Sequence, residues 1–275
     1  MRCWLFGVLL AMTACGSPKT DQPAGEEPTP IAFDGTDGTD AAARITHGER
    51  LTRVLGCSGC HGKDLTGRNF TEDDPQYGPV YASNLTLVVP HYSDAALEKL
   101  LRAGEHPDRH SLWIMPSEIF QHLSAPDMAA LITYLRTLPP SGKPTPPPAF
   151  SAQDKKDIAA GVYKPAAQLV RELKVVLPFD AGLQLALGRY MTSVTCAECH
   201  GPKLEGKKGD TPDLVIAGAY SRDEFERLIT QGIAKGGRKI KPLMVKVAQT
   251  RFAHLTPHER DGLYAYLKAR AERPQ

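Results

Sequence analysis

The sequence contains two copies of a Cys-x-x-Cys-His motif, and no other feature limits its possible folds as strongly. The residues are Cys57, Cys60 and His61 in the first copy and Cys196, Cys199 and His200 in the second. Chance placement rarely produces even one such motif, so two copies are a specific signal. The other two of the six cysteines, Cys3 and Cys15, lie near the N-terminal end. The fold must therefore contain two equivalent sites, each with two thiols and one imidazole close together.

The stretches around the two motifs repeat the same order of elements. A helical stretch leads into each motif, and a stretch rich in Gly and Pro follows it. A second helical pattern then begins at Ser93 or Ser221 and ends at Gly104 or Gly232. A third carries Tyr-Leu at the same distance from a leading Leu, as Leu123 with Tyr134-Leu135 and Leu255 with Tyr266-Leu267. In each unit the predicted order of elements is helix, motif, loop, helix, loop and helix. This order predicts an all-α fold.

The repeat and the composition between its copies predict the domain boundaries. With 275 residues the chain is long enough for two units of about 100 residues plus connectors. We expect a first domain over 44–139 and a second over 180–275. Residues 140–179 are predicted to be a Pro-rich linker with short helical segments that lie over one of the domains. Residues 16–43, rich in Pro, Gly, Thr and Asp, are predicted to be a disordered tether.

The N-terminal residues 1–15 have the pattern of an export signal. Arg2 precedes an apolar stretch at 4–12 that is too short to span a membrane. Met12-Thr13-Ala14-Cys15 resembles a bacterial lipoprotein cleavage site, which predicts lipidation of Cys15. Cleavage elsewhere would instead leave Cys15 as a free thiol or a pairing partner. We therefore expect a lipoprotein anchored to a membrane on its periplasmic or cell-surface side.

The overall charge and composition limit the partners and the contents of the core. The formal net charge is +2, and basic residues do not alternate with aromatics, which argues against a nucleic-acid partner. Aromatic residues make up only 7% of the chain, so two conventional cores would be short of apolar volume. A buried cofactor in each unit would supply that volume.

The motif chemistry favours covalently bound haem, one haem c in each unit. Two thiols at this spacing can reach the two vinyl groups of one porphyrin edge, and the following His can ligate the iron. A zinc site would need two further ligands, and no second Cys pair or H-x-x-x-H accompanies either motif. A dithiol redox centre would need an adjoining βαβ pattern, which is not visible.

The second axial position of each iron can be filled by few residues. Met244 is the single Met after the second motif, whereas Met115 and Met128 compete in the first unit. Met128 falls on the apolar face of a helix, so we pair His61 with Met115 and His200 with Met244, both expected in loops. His106, His110 and His254 are rival ligands. His47, His91, His122 and His258 are read as surface or capping residues.

With these residues in place, the chain resembles tandem class I cytochromes c, especially the di-haem subunits that serve membrane-associated dehydrogenases. The resemblance covers about 44–139 and 180–270. Its most specific segments are Asn84-Leu85-Thr86, Ile114-Met115-Pro116-Ser117-Glu118 and His254-Leu255-Thr256. It implies a small helical fold wrapped around one haem in each domain. The second unit departs from the pattern with Val245, where Pro often follows the ligand Met.

The resemblance implies a non-enzymatic electron carrier that accepts electrons from a redox protein, such as a membrane-associated dehydrogenase, and passes them to a respiratory acceptor. Ligation by His and Met closes both faces of an iron. The main alternative is a di-haem peroxidase, which needs an iron with an open face, and a haem-based sensor is a third.

Acidic residues outnumber basic residues over 57–136, and the reverse holds over 196–251. Two roles are open to the basic residues of the second unit: docking an acidic redox partner, or attraction to the first unit and solvation. These residues are Lys203, Lys207, Lys208, Lys235, Arg238, Lys239 and Lys241.

Overall fold

A computed structural model describes residues 30–38, 40–74, 76–109 and 112–273, and it is mostly helical. The predicted all-α class is confirmed. We call residues 44–139 the first unit, 140–179 the linker and 180–275 the second unit, as predicted from the sequence. In and just before the first unit the helices are α1 (Ala41–Val54), α2 (Cys57–His61), α3 (Leu85–Val88), α4 (Asp94–Ala103), α5 (Ser117–Phe120) and α6 (Ala125–Arg136).

The linker and the second unit continue the helical series. The linker holds α7 (Ala152–Ala159) and α8 (Ala166–Leu173). The second unit holds α9 (Ala186–Met191), α10 (Ala197–His200), α11 (Arg222–Gln231), α12 (Pro242–Thr250) and α13 (Pro257–Glu272). Its shorter segments are 3₁₀ turns at Leu183–Leu185, Leu214–Ala219, Lys235–Gly237 and Phe252–His254, and a π-helical turn at Thr192–Cys196.

One feature of the first unit is absent from the helical prediction. Strands β1 (Arg68–Asn69) and β2 (Tyr81–Ala82) form a two-residue antiparallel pair inside the stretch predicted to be a loop. A 3₁₀ turn at Val89–His91 follows α3. The hairpin is too short to change the fold class.

The helix ends form where local side chains satisfy the terminal backbone groups. The Ser93 hydroxyl accepts from the Ala96 N–H at the start of α4, and Ser221 with Glu224 forms a capping box on α11. Both helices end at a left-handed glycine, Gly104 and Gly232, as the sequence predicts.

In each unit the first and last helices cross at a glycine. A Cβ on Gly48 would lie 2.1 Å from the Ala130 carbonyl oxygen, and one on Gly188 would lie 2.2 Å from that of Gly262. The Tyr134 Cβ covers the first crossing, and the Tyr266 Cβ covers the second. Helix backbones can touch this closely only where no side chain separates them. The crossing places α2 and α10 at equivalent positions in the two units.

The linker packs on the first unit. The Ala149 N–H donates to the Pro79 carbonyl at 3.1 Å, and the Asp154 carboxylate accepts from the Gly78 N–H at 2.8 Å. Helix α8 packs against α5 and α4. These parts of the linker lie over the first unit, but its end contacts the second, where the Pro178 carbonyl accepts from Arg189 Nε at 2.9 Å and the Phe179 carbonyl accepts from Tyr266 Oη at 2.7 Å. The prediction that the linker lies over one unit is therefore wrong for its last residues.

Residues 30–38 are docked rather than free. Phe33 is 1% exposed and its ring meets Tyr190 edge-on, with centroids 5.5 Å apart. This part of the predicted tether is wrong, because one buried aromatic ring gives the polar segment enough apolar surface to pack. Residues 16–29 lie outside the described residues.

Candidate functional site

Each Cys-x-x-Cys-His motif lies in a helical segment, with its two cysteines three residues apart in sequence. Cys57 and Cys60 belong to α2, whereas Cys196 ends the π-helical turn and Cys199 lies on α10. All four are free thiols. Cys60 is exposed and Cys196 is buried, while the other two are half-buried. The pairs are thus arranged to react with a group lying along one side of each helix.

Both motif histidines are held in the same way. The His61 Nδ1 is 2.8 Å from the Ser83 carbonyl oxygen, and the His200 Nδ1 is 2.8 Å from that of Pro212. Since a carbonyl can only accept, the proton is on Nδ1 and the Nε2 lone pair is left available. Burial lowers the pKa of both rings and favours the neutral form. A neutral imidazole oriented through Nδ1 is a suitable metal ligand at Nε2.

The loop after each histidine folds back onto it in both units. The Gly67 N–H donates to the His61 carbonyl at 2.7 Å, and the Gly206 N–H donates to the His200 carbonyl at 2.8 Å. Leu65 and Leu204, both buried, adopt left-handed backbone conformations with φ of 58° and 63°. Non-glycine residues rarely adopt such angles, which cost energy and cluster at functional sites.

The sequence predicts a loop after each motif, but the left-handed leucine and the hydrogen bond back to the histidine carbonyl are not part of that prediction. The signal was present as His-Gly-x-x-Leu-x-Gly, which occurs at 61–67 and at 200–206. Its left-handed leucines are not evident from residue type, because leucine has no preference for that conformation.

The chain enters the two motifs differently. Gly56 has φ +82° and separates α1 from α2. Thr195 occupies the equivalent position in the second unit, where the helix continues through the π-helical turn. A β-branched residue strongly disfavours the left-handed conformation that Gly56 adopts, so the second unit keeps a helical path.

The thiols are not prepared for dithiol redox chemistry. Burial raises the pKa of Cys57 to about 12 and that of Cys196 to about 11. Burial also raises the pKa values of Cys60 and Cys199. Reactive redox cysteines need a lowered pKa, because the thiolate is the nucleophile.

A site built only from protein ligands is also not found at these motifs. Within 30–38, 40–74, 76–109 and 112–273, no three His, Cys, Asp or Glu side chains cluster so as to hold a metal ion. A closed structural zinc site needs four such ligands. The residues of each motif would instead fit a cofactor that brings most of its own metal ligands and takes one imidazole from the protein.

Met115 lies in an irregular segment between α4 and α5, as predicted. Its side chain is half-buried against the core, and its carbonyl accepts from the Ser117 N–H at 2.8 Å. Ile114, just before it, has φ +68°. The linker fastens the segment, because the Ala166 N–H donates to the Leu112 carbonyl at 2.8 Å.

Met244 is placed on a helix, so its predicted loop position is wrong. It lies in the first turn of α12, where Pro242 at the helix start favours helical geometry. Its side chain is half-buried against the core, as that of Met115 is. Assignment of both methionines as iron ligands stays a prediction.

The rival ligands have other environments. Met128 is 1% exposed inside α6, as its helical position predicts. The His106 Nδ1 accepts from the Asp108 N–H at 3.1 Å, and the ring meets Tyr92 edge-on. The His254 ring makes no hydrogen bond among the described residues, and burial lowers its pKa. His110 and Cys15 lie outside the described residues.

The two units meet through a buried carboxylate of the first unit. Asp127 accepts hydrogen bonds from Tyr190 Oη of the second unit at 2.6 Å and from His47 Nε2 at 2.8 Å. It also accepts from the Phe33 N–H at 3.0 Å. His47 is 4% exposed and lies inside α1, so its prediction as a surface or capping residue is wrong. A contact 80 residues away along the chain buries it, and no local pattern encodes that contact.

In a second contact between the units, the buried carboxylate belongs to the second unit and the donor to the first. Glu259 of the second unit is fully buried and accepts two hydrogen bonds from Arg50 of the first unit, at 2.8 and 2.9 Å. It also accepts from the Asp34 N–H at 2.9 Å. Arg50 and Tyr190 each follow a crossing glycine by two residues, so the contacts obey the internal repeat.

Comparison with known proteins agrees with this arrangement. Residues 185–271, inside the second unit, match the family model for cytochrome c. A protein of Cereibacter sphaeroides described as "Diheme cytochrome c-type" is 27% identical over 274 residues, covering 87% of this chain and 88% of the relative. These matches confirm the predicted resemblance to di-haem class I cytochromes c.

Proposed function

We propose that this chain is an exported electron-transfer protein that carries two haem c groups, one in each unit. The observation that carries the proposal is the matched geometry of His61 and His200. Each ring is oriented by a 2.8 Å hydrogen bond from Nδ1 to a backbone carbonyl, next to two free thiols. The same arrangement in both units supports a count of two.

When bound, a haem supplies an iron that takes up and releases one electron between its ferric and ferrous states. Cys57, Cys60, Cys196 and Cys199 would hold the two groups through thioether bonds, and His61 and His200 would ligate iron. The carbonyl contacts fix the tautomer that ligation needs. Met115 and Met244 would also hold the two irons. An iron held only by protein and porphyrin would exchange electrons rather than bind a substrate.

The donor we propose is a redox protein such as a membrane-associated dehydrogenase, and the acceptor is a downstream respiratory carrier. Docking is assigned to the exposed basic residues of the second unit. Lys235 pairs with Glu224 at 3.0 Å and Lys241 with Asp210 at 2.5 Å, both inside the same unit. None of the seven basic side chains bonds to the first unit within the described chain. Lys207 does attract the Glu118 carboxylate of the first unit electrostatically, so the proposed docking role rests on the other six basic residues.

The proposed location is the periplasmic or cell-surface side of a bacterial membrane, with a lipid on Cys15. The leader pattern of 1–15 supports this part of the proposal. Among the described residues, none of the helices is long and apolar enough to cross a membrane.

A spectroscopic count of covalent haem tests the function. Matured protein should carry two thioether-bound haems per chain, while Cys57→Ala/Cys60→Ala and Cys196→Ala/Cys199→Ala should each retain one. The resting protein should not bind cyanide or peroxide. Rapid uptake of either ligand would contradict the carrier and favour the peroxidase.

Docking has its own test in the salt dependence of electron transfer. Charge reversal of Lys208 and Lys239 should slow reduction or oxidation by an acidic partner, most strongly at low salt. Reversal of the exposed Lys63 and Lys99 on the first unit provides a matched control. Equal effects of the two reversals would contradict a docking surface on the second unit.

A further inference from the structure

Arg251 of the second unit joins the two motif-bearing segments. Its guanidinium donates to the Leu55 carbonyl at 2.7 Å and the Val54 carbonyl at 3.3 Å, both at the end of α1. It also donates to the Glu198 carboxylate at 2.8 Å. Glu198 stands between Cys196 and Cys199 in the second motif. One side chain therefore binds the approach to the first motif and the interior of the second.

Gly56 makes this contact possible. A Cβ on Gly56 would lie 2.4 Å from the Arg251 Cζ, so the guanidinium packs directly on the backbone that precedes Cys57. The conformation of Gly56, with φ +82°, suits glycine in any case. The first motif thus approaches Arg251 with no side chain between them.

The charge of Arg251 is retained although the group is largely buried. Its side chain is 12% exposed. Burial opposes the charged form, but the Glu198 carboxylate outweighs it and the pKa of Arg251 is raised. The α1 carbonyls add to this, since the end of a helix carries partial negative charge. A guanidinium with three fixed acceptors forms a rigid connection between the units.

We propose that Arg251 is a positioning residue that holds the two haem-attachment segments against each other and thereby sets the rate of electron transfer between the two haems. The inference rests on the proposed function. In the step itself one ferrous iron is oxidised while the other, ferric iron is reduced. No proton moves and no bond forms or breaks. Arg251 acts mainly through its position rather than its charge, because its hydrogen bonds fix the separation of the two attachment segments.

The experiment compares full-length, matured Arg251→Met with the native chain. We expect both haems to remain bound and the rate of electron transfer between them, followed after flash reduction, to fall by on the order of 10- to 100-fold. Small misplacements of reacting groups have effects of this size. Arg222→Met is the matched control, because Arg222 pairs with Glu226 and Asp261 inside the second unit. It should leave the rate unchanged.

A second variant separates position from charge. Arg251→Met/Glu198→Gln removes both charges, so the difference between the two haem potentials should stay near the native value while the rate stays low. Arg251→Met alone leaves Glu198 unpaired. It should change the equilibrium constant for sharing an electron roughly tenfold, which is 59 mV for a one-electron couple. Hydrogen exchange of the Gly56 and Cys57 amides should quicken in both variants.

A native rate in Arg251→Met, or a rate restored by the double substitution, would overturn the positioning role. If Arg251→Met does not mature with two haems, Arg251→Lys carries the same test, because it keeps the charge but loses the forked contact. Failure of the proposed function is distinguishable, since it would appear in the native chain as a missing haem or an open iron.

Discussion

Tyr190 of the second unit donates a 2.6 Å hydrogen bond to the buried carboxylate of Asp127 in the first. Glu259 accepts two hydrogen bonds from Arg50 across the same boundary. Each of these two buried carboxylates therefore takes part of its hydrogen bonding from the opposite unit, which makes the stability of each unit depend on the other. Removing one donor leaves part of a buried charge without its partner, which costs more than the bond itself gains.

Tyr190→Phe should therefore lower the free energy of unfolding by about 2 kcal/mol, the scale of a buried bond to a charged group. Thermal or denaturant unfolding of the matured protein measures it. Tyr264→Phe is a suitable control, because Tyr264 Oη bonds to the Tyr220 carbonyl inside the second unit. We expect separate unfolding transitions for the two units with Tyr190→Phe but not with Tyr264→Phe. A single unchanged transition would contradict the coupling.

Gly188→Ala should destabilise the second unit by about 3 kcal/mol or more. The new Cβ would lie 2.2 Å from the Gly262 carbonyl oxygen and 2.4 Å from the Tyr266 Cβ, so the helices must separate. In Gly262→Ala, at the same crossing, the new Cβ would come no closer than 3.5 Å to a side-chain atom, which is an ordinary van der Waals contact. It should be neutral or stabilising by up to about 1 kcal/mol, because alanine favours helix over glycine. Similar unfolding temperatures for the two variants would refute this reading of the crossing.

Glu118→Gln should alter the pH dependence of stability. Burial raises the pKa of Glu118 above 4.5, and Glu198 across the boundary adds to the effect. The folded state therefore binds this proton more tightly, and its stabilising effect is present below pH 4.5 and lost as pH rises through the folded pKa. Relative to the native chain, Glu118→Gln should gain stability as the pH rises from 4 to 8. Denaturant titrations across that range measure the difference, with exposed Glu205→Gln as the control.

Met115→Ala and Met244→Ala should each remove about half of the near-infrared band that arises from iron–methionine bonding. Met128→Leu provides the control, because Met128 is buried inside α6 and should leave the band intact. Full retention of the band in either alanine variant would show that the substituted Met is not an iron ligand. His106 and His254 would then be tested as the ligand.

The features that were predicted correctly from the sequence depend on residues close together in the chain. Motif spacing, the serine caps at Ser93 and Ser221 and the terminal glycines act over a few residues, and the structure has each helix where these features predict it. The repeat itself revealed the equivalent Tyr-Leu positions, because the same helix crossing is built twice.

What the sequence did not reveal depends on contacts between distant segments. His47 looked like a surface residue and Phe33 like part of a tether, yet Asp127 and Tyr190 bury them. Nothing in the sequence distinguishes Arg251 from other basic residues, although it bonds to backbone almost 200 positions earlier. Such contacts arise from the way the units are placed together, and side-chain type alone does not encode that placement.

The docked segment 30–38 bridges the two units. The Phe33 N–H donates to Asp127 of the first unit, and the Asp34 carboxylate accepts from the Thr256 hydroxyl of the second. A force applied at residue 30 would therefore be shared by both units, so this attachment favours neither of them.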